Sequence, residues 1–250
     1  MINYKTKQEI EIMKQGGKKL KRVVSQLLGF VKTGMTTGEI DCEAERLLKK
    51  EGAEPSFKKV KGYFWSTCIS INEQVVHTPP SKKVIKLKDV ITIDIGAYYK
   101  GFHTDFSTTF VVGDKGDNKT TKFLKTGEDA LYKAIKKATF GNRIGDISKT
   151  IQQEIYGNGY FIMKQLTGHG IGRELHEDPF IPGFLNGSID NTTIINEGLV
   201  IAIEVIYSEG TEEIKTESGS KWSIVTADGS LSACYEHTVA ITDKTTVILT

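Results

Sequence analysis

Residues 90–113 read VITIDIGAYYKGFHTDFSTTFVVG, and this stretch decides the fold. Apolar and β-branched residues fill both of its halves, which is typical of two strands, and Lys100 with Gly101 supplies a turn between them. We therefore predict an antiparallel hairpin. Each half carries one acidic residue, Asp94 and Asp105, and a buried carboxylate is costly unless it has a partner.

Helical patterns precede the predicted hairpin. Apolar residues spaced three and four apart, with Gly17 in the same row, indicate an amphipathic first helix. Thr36 and Thr37 stand just before Glu39, which is the spacing of a capping box for a second helix through Leu47 and Leu48. The apolar row of the first helix consists of Ile10, Met13, Leu20, Val24 and Leu27.

The order of helix, helix and strands then returns in the second half of the chain. Two further helices are indicated, and strands are expected near 199–207, 222–226 and 234–241. Because no low-complexity linker separates the halves, we predict one α+β domain over residues 1–250. The apolar positions of these helices are Phe123, Leu131, Ala134 and Ala138 in one, and Ile144, Ile147, Ile151 and Ile155 in the other.

Composition limits the classes of protein to consider. The 33 basic and 31 acidic residues leave a net charge of +2, which indicates no specific affinity for nucleic acid. The three cysteines, Cys42, Cys68 and Cys234, are widely spaced and form no CxxC pair, which fits a reducing compartment. The charged N-terminus resembles no signal peptide, and no apolar run approaches a membrane span. A cytoplasmic protein without a membrane segment is therefore expected.

Two more acidic residues lie in strand-like runs. Glu204 interrupts LVIAIEVIY and Glu236 interrupts ACYEHTVAIT. Any one of the four carboxylates is explained by a salt bridge or a buried hydrogen bond, but the strands offer no equal set of lysines or arginines. Two divalent cations would cancel four negative charges, and oxygen donors with one imidazole suit manganese, iron, cobalt or zinc.

The candidate imidazole is His169, in LTGHGIGRELHEDP at residues 166–179. Glycines at 168, 170 and 172 would let the backbone turn tightly and bring the ring toward the carboxylates. The segment is not a phosphate-binding GxGxxG loop, because Arg173 stands where the last glycine would be. A lone histidine is more often a surface or core residue than a ligand, but His176 follows seven residues later.

Taken together, these strings resemble one family. SINEQVVH, the Asp94–Asp105 hairpin, GHGIGRELHEDP, the IAIE strand and SACYEHTVAIT are similar, in that order, to methionine aminopeptidases of type I in peptidase family M24. The resemblance covers nearly the whole chain. It implies the pita-bread fold, a pseudo-twofold antiparallel curved sheet flanked by helices. It also implies removal of the initiator methionine from nascent proteins and peptides.

The resemblance assigns the metal ligands one by one. Asp94 is expected to hold the first metal, Asp105 and Glu236 to bridge both metals, and His169 and Glu204 to complete the second site. Two such ions lower the pKa of a shared water, so that hydroxide is available near neutral pH to attack the first peptide bond.

Catalytic and substrate-binding roles also follow from the resemblance. Glu204 doubles as the proton shuttle, His77 contacts the scissile amide nitrogen, and His176 contacts the carbonyl oxygen as the tetrahedral intermediate forms. Read without the family, His77 in VVHTPP is simply a loop residue. Tyr63, Cys68 and Trp222 match positions of the methionine pocket, and Leu175 stands where an aromatic residue is common; each is equally compatible with ordinary core packing.

Four features depart from the family pattern. The run 78–80 reads Thr-Pro-Pro in place of Gly-Ile-Pro, and Val205 replaces a proline after the predicted ligand Glu204. Gly96 stands where a small hydroxyl residue usually supports the metal site, and its loss is expected to loosen metal affinity. The aromatic run 63–65 is unusual for the pocket. These departures concern the range of substrates more than metal binding.

Two other functions compete with the first. DIGAYYKGF also resembles the prolidases and Xaa-Pro aminopeptidases, which share the fold and ligands but usually carry a large N-terminal domain for which this chain has no room. A non-catalytic pita-bread protein, ribosome-associated or a scaffold, is the alternative from a different class; such relatives have typically lost metal ligands. For the aminopeptidase, any transient ribosome contact is expected to use the domain surface.

Overall fold

A computed structural model describes residues 1–113, 116–243 and 245–250. The capping box predicted for the second helix is confirmed: Thr36 accepts a hydrogen bond from the backbone N–H of Glu39, and the Glu39 side chain accepts one from the backbone N–H of Thr36. Thr6 and Glu9 form an equivalent box at the start of the first helix, which was not predicted. The apolar rows predicted for these helices face the interior. The helices in the described residues are α1 (Lys7–Phe30), α2 (Thr37–Lys50), α3 (Asn118–Ile135) and α4 (Ile144–Gly157).

The strands form a ten-stranded sheet and a three-stranded sheet. In the first half they are β1 (Glu54–Pro55), β2 (Thr67–Ile71), β3 (Gln74–Val76), β4 (Val90–Tyr99) and β5 (Phe102–Val111). In the second half they are β6 (Phe161–Ile162), β7 (Thr167–Gly170), β8 (Glu177–Pro182), β9 (Val200–Ser208), β10 (Ile214–Thr216), β11 (Ile224–Thr226), β12 (Ser232–Ile241) and β13 (Thr246–Ile248).

The large sheet runs β1-β4-β5-β12-β9-β7-β8, and every pairing in it is antiparallel. The predicted hairpin is confirmed: β4 and β5 pair along their whole length, and Lys100 and Gly101 turn between them with positive φ. β5 lies beside β12 at the centre, so the strands of one half of the chain meet those of the other half there.

Each half packs its two helices on its own strands. Apolar side chains of α1 and α2 form one core cluster with those of β2 and β4, and α3 and α4 form a second cluster with β9 and β12. This repeat of two helices and two long paired strands is the pseudo-twofold α+β arrangement expected of the pita-bread fold.

Three details differ from the sequence-based expectations. β9 and β12 pair but are not joined by a turn, because β10 and β11 lie between them and form the small sheet with β3. Trp222, predicted to begin a strand, lies in the loop just before β11. Ala138 is buried as predicted but lies beyond the end of α3. Among the described residues, no helix combines the length and hydrophobicity of a membrane span.

Candidate metal centre and pocket

Five neighbouring strands each contribute one of the predicted ligands to a single cavity. Along the sheet, Glu236 lies directly opposite Glu204, and the cavity they share is about 130 Å³. Alternation along each strand turns these polar side chains to the same face, while the apolar neighbours turn to the helices. In sheet order the five are Asp94 on β4, Asp105 on β5, Glu236 on β12, Glu204 on β9 and His169 on β7.

The carboxylates of this cluster are held against one another in a desolvated place. Burial, and repulsion from Asp105, raise the pKa of Glu204 to about 8, and burial raises that of Asp105 to about 7. The same two causes raise the pKa values of Asp94 and Glu236 well above their ordinary range. No cationic side chain forms a salt bridge with any of the four among the described residues, apart from the proximity of His169 to Glu204.

The donor set fits a bound cation. Asp94 Oδ1 and Glu236 Oε1 are buried and have no hydrogen-bond partner among the described residues. Ligand atoms of Asp105, His169 and Glu236 all lie within 4.8 Å of one another. Because buried polar atoms normally have partners, these oxygens and their crowded charges are the mark of a site built for positive ions.

The ring of His169 presents a free nitrogen to this cluster. Its Nδ1 lies 2.8 Å from the carbonyl oxygen of Gly170, which can only accept, so Nδ1 carries the proton. Nε2 is left with its lone pair and lies 3.4 Å from Glu204 Oε1. Burial lowers the pKa of His169 to about 3, which keeps the ring neutral and suited to metal ligation.

The glycines around His169 are explained by close backbone contacts. A Cβ at Gly168 would lie 2.5 Å from the carbonyl oxygen of Ala202, and one at Gly170 would lie 2.2 Å from that of Asp178. Glycine therefore lets β7 fit between β8 and β9. Our sequence-based reason, freedom of the backbone to turn, was incomplete, because the gain here is space between strands.

The two other histidines lie at the same cavity. His77 follows β3 with φ of 57°, and His176 lies in the loop between β7 and β8, with its ring centroid 4.4 Å from that of His169. Both residues are exposed to solvent on one side. The surrounding protein nevertheless desolvates the rings, and this lowers the pKa of each. Both imidazoles are therefore neutral at pH 7, with one N–H to donate.

An apolar wall completes the cavity. Tyr63 packs edge-on against Trp222 with ring centroids 5.3 Å apart, and its hydroxyl donates to the Thr67 carbonyl and lies 3.1 Å from Cys68 Sγ. Burial raises the pKa of the Cys68 thiol, which makes it inert packing. Leu175 also lines the cavity. Three further residues line the cavity and were not predicted from the sequence: Phe57, Val60 and Val76. They lie in irregular segments or at the end of a strand, where no periodic pattern of apolar residues marks them.

The departures from the family pattern have local explanations. A Cβ at Gly96 would lie 2.6 Å from Ser56 Cβ, so Ser56 occupies the space that a side chain at 96 would need. Thr78 is buried, with its hydroxyl 2.8 Å from that of Ser223. Val205 is buried in the core against α3 and α4, away from the ligand side of β9. Phe64 is 74% exposed and lines no part of the cavity.

Comparison with known proteins agrees with this geometry. The profile of metallopeptidase family M24 matches residues 11–243. A methionine aminopeptidase of Clostridium perfringens is 41% identical over 250 residues, covering 100% of this chain and 99% of that protein. The crystal structure of a methionine aminopeptidase from Thermotoga maritima superposes with a TM-score of 0.95 at 37% identity, covering 100% of this chain and 99% of that one.

A prolidase is more distant by the same measure. The prolidase of Pyrococcus furiosus superposes with a TM-score of 0.79 at 26% identity and covers 98% of this chain but 64% of that one. The chain thus shares its fold with prolidases, while its full-length similarity is to methionine aminopeptidases.

Proposed function

The chain belongs to metallopeptidase family M24, and we propose that it is a methionine aminopeptidase that releases the initiator methionine from peptides and nascent proteins. The observation that carries this proposal is the row of four carboxylates and one imidazole, on five adjacent strands, beside an apolar wall in one cavity. Relatives aligned over their full length, which are named methionine aminopeptidases, support the choice of substrate.

We propose that the five ligands hold two divalent ions, for which manganese, iron, cobalt and zinc are the candidates. Support comes from the partnerless oxygens of Asp94 and Glu236 and from the neutral His169, whose Nε2 is free. Asp105 and Glu236 would bridge the ions, Asp94 would complete the first site, and His169 and Glu204 the second. Ions in this place act as Lewis acids that acidify water and polarise a carbonyl.

The remaining chemistry is assigned to side chains at the cavity. Positive ions beside Glu204 would keep its side chain ionised, so that the carboxylate takes a proton from the attacking water and delivers it toward the amide nitrogen that leaves. The N–H of His176 donates to the carbonyl oxygen as negative charge develops there, which lowers the barrier most if the donor is already in place. His77 donates near the scissile nitrogen. Burial lowers the pKa of both rings, which favours the neutral form at pH 7, and a neutral imidazole keeps one N–H to donate.

The apolar wall is proposed as the pocket for the methionine side chain. Tyr63, Cys68 and Trp222 enclose it, and the Tyr63 hydroxyl is already hydrogen-bonded to the protein, so it presents ring rather than polar surface. An unbranched thioether gains by burial against such a wall. A polar or charged first residue would lose its hydration there without finding a partner.

The runner-up is a prolidase-like enzyme with the same metal centre. The lower TM-score and identity of the Pyrococcus furiosus prolidase favour the first proposal, and so does the fact that this chain covers only 64% of it. A non-catalytic role is disfavoured because all five ligand positions and both histidines converge on one cavity. Transient contact with the ribosome and a cytoplasmic location stay predictions from the sequence.

A peptide assay tests the proposal directly. Protein loaded with each candidate metal is incubated with Met-Ala-Ser and, separately, with Ala-Pro-Ala, each with and without a chelator, and the products are identified by mass spectrometry. We expect methionine from the first peptide only, and only without chelator. Cleavage before proline would move the chain to the prolidases. Metal binding without cleavage of either peptide would favour the non-catalytic role.

A further inference from the structure

The loop that carries His176 is held in place by Lys5, which lies in the N-terminal segment ahead of α1. We propose that Lys5 is a positioning residue for His176, acting through Glu177, the next residue along; this rests on the proposed function, in which His176 contacts the substrate carbonyl. The loop runs from the end of β7 to the start of β8 and also brings Leu175 into the cavity.

Glu177 braces this loop from within. Its Oε1 accepts a hydrogen bond from the backbone N–H of Glu174 at 3.1 Å. This bond closes the turn over residues 174–177, which contains His176. On the other side, the carbonyl of Gly172 accepts from the backbone N–H of His103 at 2.7 Å. The loop is held by these two bonds and by the ion pair of Arg173 with Glu9 on α1, at 2.6 Å. The Glu177 side chain is only 8% exposed.

The charge on that carboxylate is balanced by Lys5. Its Nζ donates to Glu177 Oε2 and, at 2.7 Å, to the carbonyl of Asn3, and its side chain is 2% exposed. The backbone N–H of Lys5 donates to the carbonyl of Gly198 at 2.7 Å, which fixes the segment ahead of α1. Lys5 is thus immobilised at both ends before it meets the loop.

The contact between Lys5 and the loop is close enough to require a glycine. A Cβ at Gly172 would lie 2.2 Å from Lys5 Cε and 2.9 Å from Glu177 Oε1. Gly172 therefore makes room for the lysine stem, which accounts for the third glycine of the GHGIG run. It follows that the N-terminal segment is part of the construction of the active site, although it contributes no side chain to the cavity.

Removing the lysine charge leaves Glu177 buried without a counter-ion. A carboxylate in that position turns toward water or takes up a proton, and in either case its bond to the Glu174 N–H is weakened. His176 would then sample positions away from the substrate carbonyl. Small displacements of a catalytic group lower the rate steeply, whereas metal binding through His169 on β7 is unaffected.

The test compares Lys5→Met with Lys5→Met/Glu177→Gln. We expect the single variant to lower kcat on Met-Ala-Ser by about 10- to 100-fold, with unchanged metal content and faster amide hydrogen exchange in residues 171–178. In the double variant the amide oxygen still accepts from Glu174 and no buried charge remains, so kcat and protection of the loop recover most of the loss. A lysine that only adds to global stability would lower Tm in the single variant but would change neither kcat nor hydrogen exchange in residues 171–178 at a temperature well below Tm.

Lys7→Met is the matched control, because Lys7 is 83% exposed and its Nζ lies 3.7 Å from Glu197; it should leave kcat and exchange unchanged. The proposal is overturned if Lys5→Met keeps wild-type kcat and loop protection, or if the double variant is as slow as the single one. If wild-type protein released no methionine, the proposed function would fail, and hydrogen exchange in the loop would still decide whether Lys5 positions His176.

Discussion

Glu204 on β9 and Glu236 on β12 are direct cross-strand partners, and both side chains turn into the same cavity. Two carboxylates opposite each other in an antiparallel pair repel, and burial strengthens the repulsion. A shift of the register by one residue would separate them but would also turn the apolar faces of both strands outward. The sheet therefore fixes a pair that is unfavourable by itself, and a bound cation removes the cost.

Glu236→Gln is expected to stabilise the metal-free protein. On folding, the Glu236 carboxyl must take up a proton or stay charged beside Glu204, and an amide of the same shape avoids both costs. The free energy of unfolding should therefore rise by about 1 kcal/mol, or about 2–4 °C in Tm. The increase in Tm that divalent metal is expected to give the wild type should shrink at the same time, because one of the proposed ligands is lost. Thermal unfolding after chelation, and again with added metal, measures both effects.

A lower Tm of the metal-free variant would contradict this account and show that Glu236 has a stabilising partner without metal. Glu73→Gln is a suitable control, since Glu73 is adjacent to β3 and lines no part of the cavity. It should change neither the Tm without metal nor the response to metal.

Asp94→Asn is expected to abolish methionine release through loss of metal. Asp94 Oδ1 is buried and has no hydrogen-bond partner within the described part of the chain, and an amide is a much weaker ligand for a hard cation than a carboxylate. Metal content of the purified variant and its turnover of Met-Ala-Ser should fall together. Full metal occupancy with wild-type turnover would remove Asp94 from the ligand set, and Asp190→Asn, at an exposed position, is the control.

His77→Ala is expected to lower kcat by about 100-fold or more while metal content stays at the wild-type level. His77 lines the cavity but is not among the carboxylate and imidazole groups that converge as ligands. Steady-state kinetics together with metal analysis separate these effects. An unchanged kcat would mean that His77 is only a loop residue at the mouth of the cavity.

The parts of this structure that local sequence predicts are those with a local physical cause. Thr36 and Glu39 cap α2 because their spacing fits one helical turn, and Asp94 and Asp105 share a hairpin because the turn at Lys100 lies between them. The acidic residues in apolar strands also predicted a cavity lined by carboxylates, because a buried carboxylate must be compensated by a partner.

The parts that were missed depend on residues far apart in the chain. The contact of Lys5 with Glu177 spans 172 positions, and no pattern near either residue marks it. Phe57 reaches the cavity from a short 3₁₀ turn with no periodicity. No local pattern around Gly96 reveals that Ser56, 40 positions earlier in the numbering, occupies the space that a side chain at 96 would need. The expected loss of metal affinity stays a prediction.

Gly96→Ser is therefore expected to damage the protein rather than to strengthen metal binding. The new Cβ would lie 2.6 Å from Ser56 Cβ and 3.2 Å from Phe57 Cε1, and overpacking of this kind costs about 1–3 kcal/mol. Because Phe57 lines the cavity, KM for Met-Ala-Ser should rise as well. Adding Ser56→Gly frees the space and should restore most of the Tm. Gly29→Ser, on a helix position with open space around it, is the matched control and should be tolerated. A Gly96→Ser variant that is fully stable and binds metal more tightly would show instead that the site lacks a supporting hydroxyl and that Ser56 does not replace it.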